Sequence, residues 1–254
     1  MSQILNPNSL DAYDYELPQG LIANFPTLPK EDAGLLVYER AGEKISHLKF
    51  GDLPEILPPC DIIFNDTKVV KARIFGKKQS GGETELLLNS PLADGKFSVY
   101  IKGKVRAGSV LNFSENLTAE VCELFEDGSR TVKFSQNGRL LDAAALYKIL
   151  SHIGHVPLPP YIKRNDTKDD ESWYQSVFAK NEGAVAAPTA SLHFSDEMIA
   201  RLAKDREIAY LTLHVGAGTF KGVESEDITR HKMHAEFYDI PQDTQNLIAS
   251  NRPI

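Results

Sequence analysis

Apolar and polar positions change rhythm along the chain. Asp61-Ile62-Ile63-Phe64 reads as a short buried strand that runs out into the polar cluster Asn65-Asp66-Thr67. From Val69 to about Gln136 short β-rich runs follow one another: KARIFG, ETELLL, FSVYI, TAEVCELF and TVKFS. The turn signals SGGE, ADGK, RAGS, EDGS and QNGR punctuate them, and this spacing predicts a small barrel or sandwich. After residue 141 a helical period takes over. Asp142 is placed to cap a helix through AAALYKILSHI, with Gly154 beyond its end. HVPLPPYIKR is forced into an extended path by its prolines, and NDTKDDES reads as an exposed polar loop. Ser195 is a good N-cap for a helix with Met198, Ile199, Leu202 and Ala203 on one stripe. IAYLTLHVGAGTF alternates as a strand, with Ile208, Tyr210, Thr212 and His214 on one face, and ends in Gly216-Ala217-Gly218. MHAEFYDI reads as another strand and TQNLIAS as a helix beginning. The fold expected is α/β (α+β). A discontinuous α/β domain, residues 1–67 and 141–254, carries an inserted small antiparallel β-barrel domain at 68–140.

Composition narrows this little. A chain of 254 residues can bury a sizeable core, and 42% hydrophobic with 25% charged residues is ordinary soluble usage. The start, MSQILNPNSLDAYDYELP, lacks the basic and apolar regions of a secretory leader, and no apolar run reaches membrane-span length. Cys60 and Cys122 are expected to be buried free thiols in a reducing cytoplasm. Charge changes the picture more. The net charge of −7 argues against a nucleic-acid partner, but Lys68, Lys71, Arg73, Lys77 and Lys78 fall in one acid-free stretch. Lys96, Lys102, Lys104 and Arg106 fall in another. Such runs form either a solvated strand face or a local phosphate-binding surface.

Four stretches could carry chemistry. GAVAAPTASLHF (183–194) combines small residues, the fixed dihedral of Pro188, the hydroxyls of Thr189 and Ser191, and the imidazole of His193. It reads equally as a tight strand-to-helix seam. LHVGAGTF puts glycines past a strand end, where α/β proteins bind ligands, but as a dinucleotide fingerprint it is incomplete. His231, His234 and Glu236 in HKMHAE lack a standard metal spacing, so a substrate-contacting strand end is expected there and no metal. FNDTKVVKAR crowds Asn65, Asp66, Thr67, Lys68 and Arg73 at a strand end, facing a cleft or closing an Asx-turn.

Taken in order, these stretches together with DYELP (14–18), GHVPLPPYI (154–162) and YQSVFA (174–179) resemble one family over nearly the whole chain. It is the S-adenosylmethionine:tRNA ribosyltransferase-isomerase family of queuosine biosynthesis. The resemblance implies transfer and isomerisation of the ribosyl part of S-adenosylmethionine onto a 7-aminomethyl-7-deazaguanine at the tRNA wobble position. Epoxyqueuosine-tRNA forms, and adenine and methionine leave. S-adenosylmethionine is then a substrate, and no separate cofactor or metal is implied. The expected partners are S-adenosylmethionine and tRNA, with no membrane, for a cytoplasmic monomer.

That chemistry needs a base for a C5′ hydrogen acidified by the sulfonium, help for departing adenine, and tight positioning. Candidates are Glu236 or Asp66 as the base and His193 or His214 at the adenine. Expected substrate contacts are Asn65, Thr67, Arg73, Tyr15, Pro188, Thr189, Gly216, Gly218, Thr219, His231 and His234. Expected tRNA contacts are Lys68, Lys71, Lys77, Lys78, Lys102, Lys104 and Arg106, with Tyr13, Tyr15, Tyr161 or Tyr174 stacking on a base. The chain departs from the family at Ala33-Gly34, Lys71, Lys221-Gly222 and Ser191, which adds a side chain to a loop expected to be open. Family chains run on by about a third of this length, so a truncated chain is expected, and the alternatives are a non-catalytic tRNA- or RNA-binding module or an inactive truncated form of the enzyme.

Overall fold

The computed structural model describes residues 6–250 and 252–254. The reading of the N-terminus as leaderless falls partly on residues 1–5, outside those described. A hairpin of β1 (Gly34–Glu39) and β2 (Lys44–Lys49) leads through a single turn, α1 (Leu53–Ile56), to β3 (Ile62–Asn65) and β4 (Thr67–Val69). Seven strands follow: β5 (Arg73–Lys78), β6 (Glu83–Pro91), β7 (Phe97–Lys102), β8 (Val110–Asn112), β9 (Leu117–Leu124), β10 (Ser129–Gln136) and β11 (Arg139–Leu140). The rest of the chain supplies α2 (Ala143–Ile153), α3 (Asp170–Trp173), β12 (Asn181–Ala184), α4 (Asp196–Leu202), β13 (Ile208–His214), β14 (Phe237–Asp239) and α5 (Gln242–Ile248).

The middle strands form the expected antiparallel barrel. Their order is β10-β7-β6-β5-β8-β9, and β9 pairs back onto β10, so six strands close the ring while β11 extends β10. Closure leaves no edge within that ring to template a foreign strand. Alternation fills it: Leu86, Leu88, Phe97, Val99, Val132 and Phe134 are each at most 1% exposed. Burying a side chain of this kind contributes about 1.5–3 kcal/mol, so the barrel carries its own hydrophobic driving force. Leu146 and Leu150 of α2 join the same core, seating that helix on the barrel.

The α/β part is built around the run 62–69. β3 pairs in parallel with β13, from Ile62 opposite Ile208 to Asn65 opposite Leu211. One residue later β4 pairs in parallel with β12 instead. The chain therefore changes partners at Asp66, and β12 and β13 meet where Val185 N donates to the Val215 carbonyl at 2.9 Å. Phe50, Phe64 and Phe194 pack edge to face, each contact at 4.9 Å, over Met198 and Leu202 of α4. Both expected caps are present: Asp142 accepts from Ala145 N on α2, and Ser195 accepts from Met198 N on α4.

Some expectations need correction. Of the strand expected in MHAEFYDI only Phe237–Asp239 pairs, because His234 is occupied against Gly218 and Glu236 against the Gly216 amide. Within the loop expected to be exposed, Asp170 is 2% exposed, since the Arg164 guanidinium holds it through two bonds of 2.6 and 2.7 Å. Cys60 and Cys122 are free, but both are half-buried rather than buried. Among the described residues no helix is long and apolar enough to cross a membrane.

Candidate active site

The site grows from the change of partners at Asp66. Asn65 bridges the bend: its Nδ2 donates to the Leu213 carbonyl at 2.9 Å, and its Oδ1 accepts from Leu213 N at 2.9 Å and Thr67 N at 3.1 Å. The side chain thus replaces ladder bonds that the kinked backbone cannot make. Asp66 is 8% exposed. Its carboxylate accepts from Thr212 Oγ1 at 2.7 Å and from Asn181 Nδ2 at 3.1 Å on both oxygens. A buried carboxylate with its oxygens hydrogen-bonded in this way lies beneath the site rather than lining it.

Thr67 continues the chain of contacts, its Oγ1 lying 2.7 Å from His214 Nδ1. The hydroxyl can donate or accept, so it orients the ring in either tautomer. Burial holds the His214 pKa below its ordinary value, with the Asp66 charge pulling the other way. The imidazole is therefore neutral at pH 7. Its faces are covered. A methyl group on Gly183 would sit 2.5 to 2.7 Å from Nε2, Cδ2 and Cε1 alike, which puts the glycine backbone flat under the ring. Phe237 stacks on the imidazole at 5.4 Å between centroids and 24° between planes.

Two successive amides follow β13. Gly216 N donates to Glu236 Oε1 at 2.8 Å, and Ala217 N to Asn89 Oδ1 at 2.9 Å. Asn89 sits on a β-bulge, where the β6–β7 register shifts between Leu88 and Ser90. The bulge turns the asparagine out of the barrel toward the α/β part. Gly218 has no room for a side chain, because the His234 ring lies 2.3 Å from where a Cβ would be. His231 meets His234 edge to face at 6.5 Å. A cleft of about 500 Å³ opens between the two parts, lined by Asn89, Tyr147, Gly183, His214, Gly216 and Glu236 among others. It is lined by one imidazole and two exposed carboxylates, Glu182 and Glu236, within a size range that suits a small-molecule ligand.

Other expected residues lie elsewhere. His193, Pro188 and Thr189 are not among the cleft's lining residues. His193 leans on Phe50 at 5.2 Å, and partial burial, then the Lys30 ammonium, lower its pKa. Ser191 is buried in the same turn, so it does not narrow the His214 cleft. Arg73 is engaged by Glu85 at 3.3 Å and by the Leu158 carbonyl. Thr219 is exposed beside Gly218. Tyr13, Tyr15 and Tyr161 are exposed, whereas Tyr174 is buried and its phenol is pushed up to about 12, so it offers no free face for a base. The two basic stretches converge: Lys78 Nζ donates to the Lys104 carbonyl at 2.9 Å, and Lys78, Lys104 and Arg106 line one groove of about 470 Å³. Lys77 and Lys102 line the neighbouring groove on the barrel. Lys68 and Lys71 stand apart from these, in ion pairs with Glu182 at 2.9 Å and Glu171 at 2.7 Å. Sequence reasoning missed Asn89, Tyr147 and Phe237, while Gly183 entered it only as the first residue of GAVAAPTASLHF. Only Asn89 left a signal, the polar Asn-Ser that ends the run of leucines in ETELLLNSP.

Fold and site define an α/β protein with an inserted six-stranded barrel and a histidine–carboxylate cleft at their seam. The chain belongs to the family described as queuosine biosynthesis protein, whose model matches residues 10–253. It is 63% identical over 243 residues to an S-adenosylmethionine:tRNA ribosyltransferase-isomerase of Campylobacter fetus, covering 96% of this chain and 72% of that protein. A protein of the same description from Campylobacter concisus is 60% identical over 248 residues, covering 97% and 73%. A crystal structure of S-adenosylmethionine tRNA ribosyltransferase from Thermotoga maritima is 26% identical, with a TM-score of 0.36, and covers 93% of this chain and 64% of that one.

Proposed function

We infer that this chain carries the activity for which its close relatives are named. It transfers and isomerises the ribosyl part of S-adenosylmethionine onto the 7-aminomethyl-7-deazaguanine of a tRNA wobble position. Epoxyqueuosine-tRNA forms, and adenine and methionine are released. The observation that carries the reading is the cleft, which a neutral imidazole and the Glu236 carboxylate both line. A neutral His214 held by Thr67 is fit to take or pass a proton, and Glu236, which also holds the Gly216 amide, is one of two carboxylates in the same space, with Glu182 the other. Deprotonation at C5′ next to the sulfonium and protonation of the leaving purine are two proton movements, and in this reading they fall to His214 and Glu236. Asp66 supports protonated His214 from below through its charge.

In this reading residues 68–140 are the tRNA-holding domain, and residues 1–67 with 141–254 the catalytic one. The grooves bearing Lys77, Lys78, Lys102, Lys104 and Arg106 hold backbone phosphates while the modified base is splayed into the cleft. S-adenosylmethionine is spent as a substrate, with no cofactor beyond it, and the chain works as a cytoplasmic monomer. Incubation with precursor tRNA and S-adenosylmethionine is expected to release one adenine per base modified. tRNA binding with no adenine release would leave a binding module instead.

A further inference from the structure

A second, smaller chamber adjoins the cleft. It encloses about 210 Å³, and two of its lining residues, Tyr147 and Glu182, also line the cleft of about 500 Å³. The two spaces therefore meet across an aromatic ring and a carboxylate. Tyr147 is half-buried, and burial, then the nearby Glu182 charge, raise its phenol pKa, so it stands there as a neutral ring with a hydroxyl. The chamber's inner wall is apolar, with Val69, Val70 and Val156. Lys71 and Glu171, paired at 2.7 Å, also line it.

We propose that this chamber is the subsite for the amino-acid arm of S-adenosylmethionine, with the sulfonium at the Tyr147–Glu182 junction and the nucleoside in the larger cleft. The proposal rests on the ribosyl-donor reading above. Each part of the ligand finds its chemical complement in order. A sulfonium is a soft cation, favoured by an aromatic face and a carboxylate. Two methylenes suit valines. The arm ends in an ammonium and a carboxylate, which match Glu171 and Lys71. The arrangement leaves the ribose between the junction and the wall that bears His214 and Glu236, where the chemistry falls.

The test measures binding of three nucleosides to the full chain by calorimetry: S-adenosylmethionine, S-adenosylhomocysteine, which lacks the charge, and 5′-methylthioadenosine, which lacks the arm. Wild type is expected to prefer S-adenosylmethionine over S-adenosylhomocysteine by about tenfold, and Glu182→Gln to erase most of that preference while leaving 5′-methylthioadenosine within about twofold. Lys71→Met is expected to weaken both arm-bearing ligands by about tenfold and to spare 5′-methylthioadenosine. Lys68→Met, which removes the partner of Glu182 but keeps its carboxylate, is expected to keep the charge preference. Unchanged preferences in both Glu182→Gln and Lys71→Met, or equal losses for all three ligands in variants that melt like wild type, overturn the subsite. If wild type still releases adenine in the presence of tRNA, the donor reading survives that result. Wild type that binds none of the three overturns both.

Discussion

An alanine at position 183 would press its methyl group to within 2.5 Å of His214 Nε2. The ring cannot give way freely, being held by Thr67 on one edge and Phe237 on one face. Gly183→Ala is therefore expected to fold but to lose turnover by about 100-fold, the usual cost of an acid–base group misplaced by about an ångström. Stopped assays of adenine release, alongside a thermal melt, check this. The same histidine sets a pH response. His214 and His193 both titrate below the ordinary value of 6.5 when folded. The unfolded chain thus takes up these protons first as pH falls. Stability is full above about 6.5 and declines as pH drops from there toward the lowered folded values. Melting temperatures between pH 8 and 5 are expected to fall in that window, and the fall to shrink in His214→Gln. The acid limb of kcat/KM is likewise expected below pH 6.5, and an acid limb that stays in His214→Gln would assign it to another group.

At the scale of elements, the bulge in β6 joins barrel to site. Asn89 Oδ1 accepts from Ala217 N, and Ala217 belongs to the barrel core. Asn89→Ala strands that donor and is expected to cost about 1–3 kcal/mol in urea unfolding, while Asn89→Asp keeps an acceptor and recovers most of it. This link shows where sequence reading stops. The barrel was legible because its strands are local, alternate and are punctuated by glycine turns. The caps at Asp142 and Ser195 were legible for the same reason. The short strands β8 and β11 carry too few alternating residues to be read. The site was legible as motifs, and Thr67, His214, Gly216 and Glu236 do meet. His193 sits in the most suggestive motif, GAVAAPTASLHF, yet packs beside Phe50, because the chain turns away from the cleft after Val185. Which motif faces which cavity depends on pairings across more than 100 residues, and no local pattern encodes them.

At the scale of the whole molecule, an acidic chain gathers Lys78, Lys104 and Arg106 in one groove whose lining holds no acid. Charge reversal at Lys78, Lys104 and Arg106 together is expected to weaken tRNA binding and to flatten its salt dependence, by up to about 0.9 in log–log slope per lost contact. Filter binding across a salt series measures it, and reversal of Lys44 on the β1–β2 hairpin is the control. A slope unchanged by the triple reversal would move the tRNA to another surface. The partner exchange at Asp66 has a further consequence, for the order of assembly. Apart from an isolated bridge from Arg73 to His155, the barrel strands pair with one another between Arg73 and Leu140, so a chain emerging from the ribosome can close the ring early. The run 62–69 must wait for β12 and β13, which arrive only with residues 181–214. The nascent protein thus has its basic grooves long before it has a catalytic wall. On the proposed tRNA placement, the chain in that interval is equipped to hold RNA but not yet to alter it.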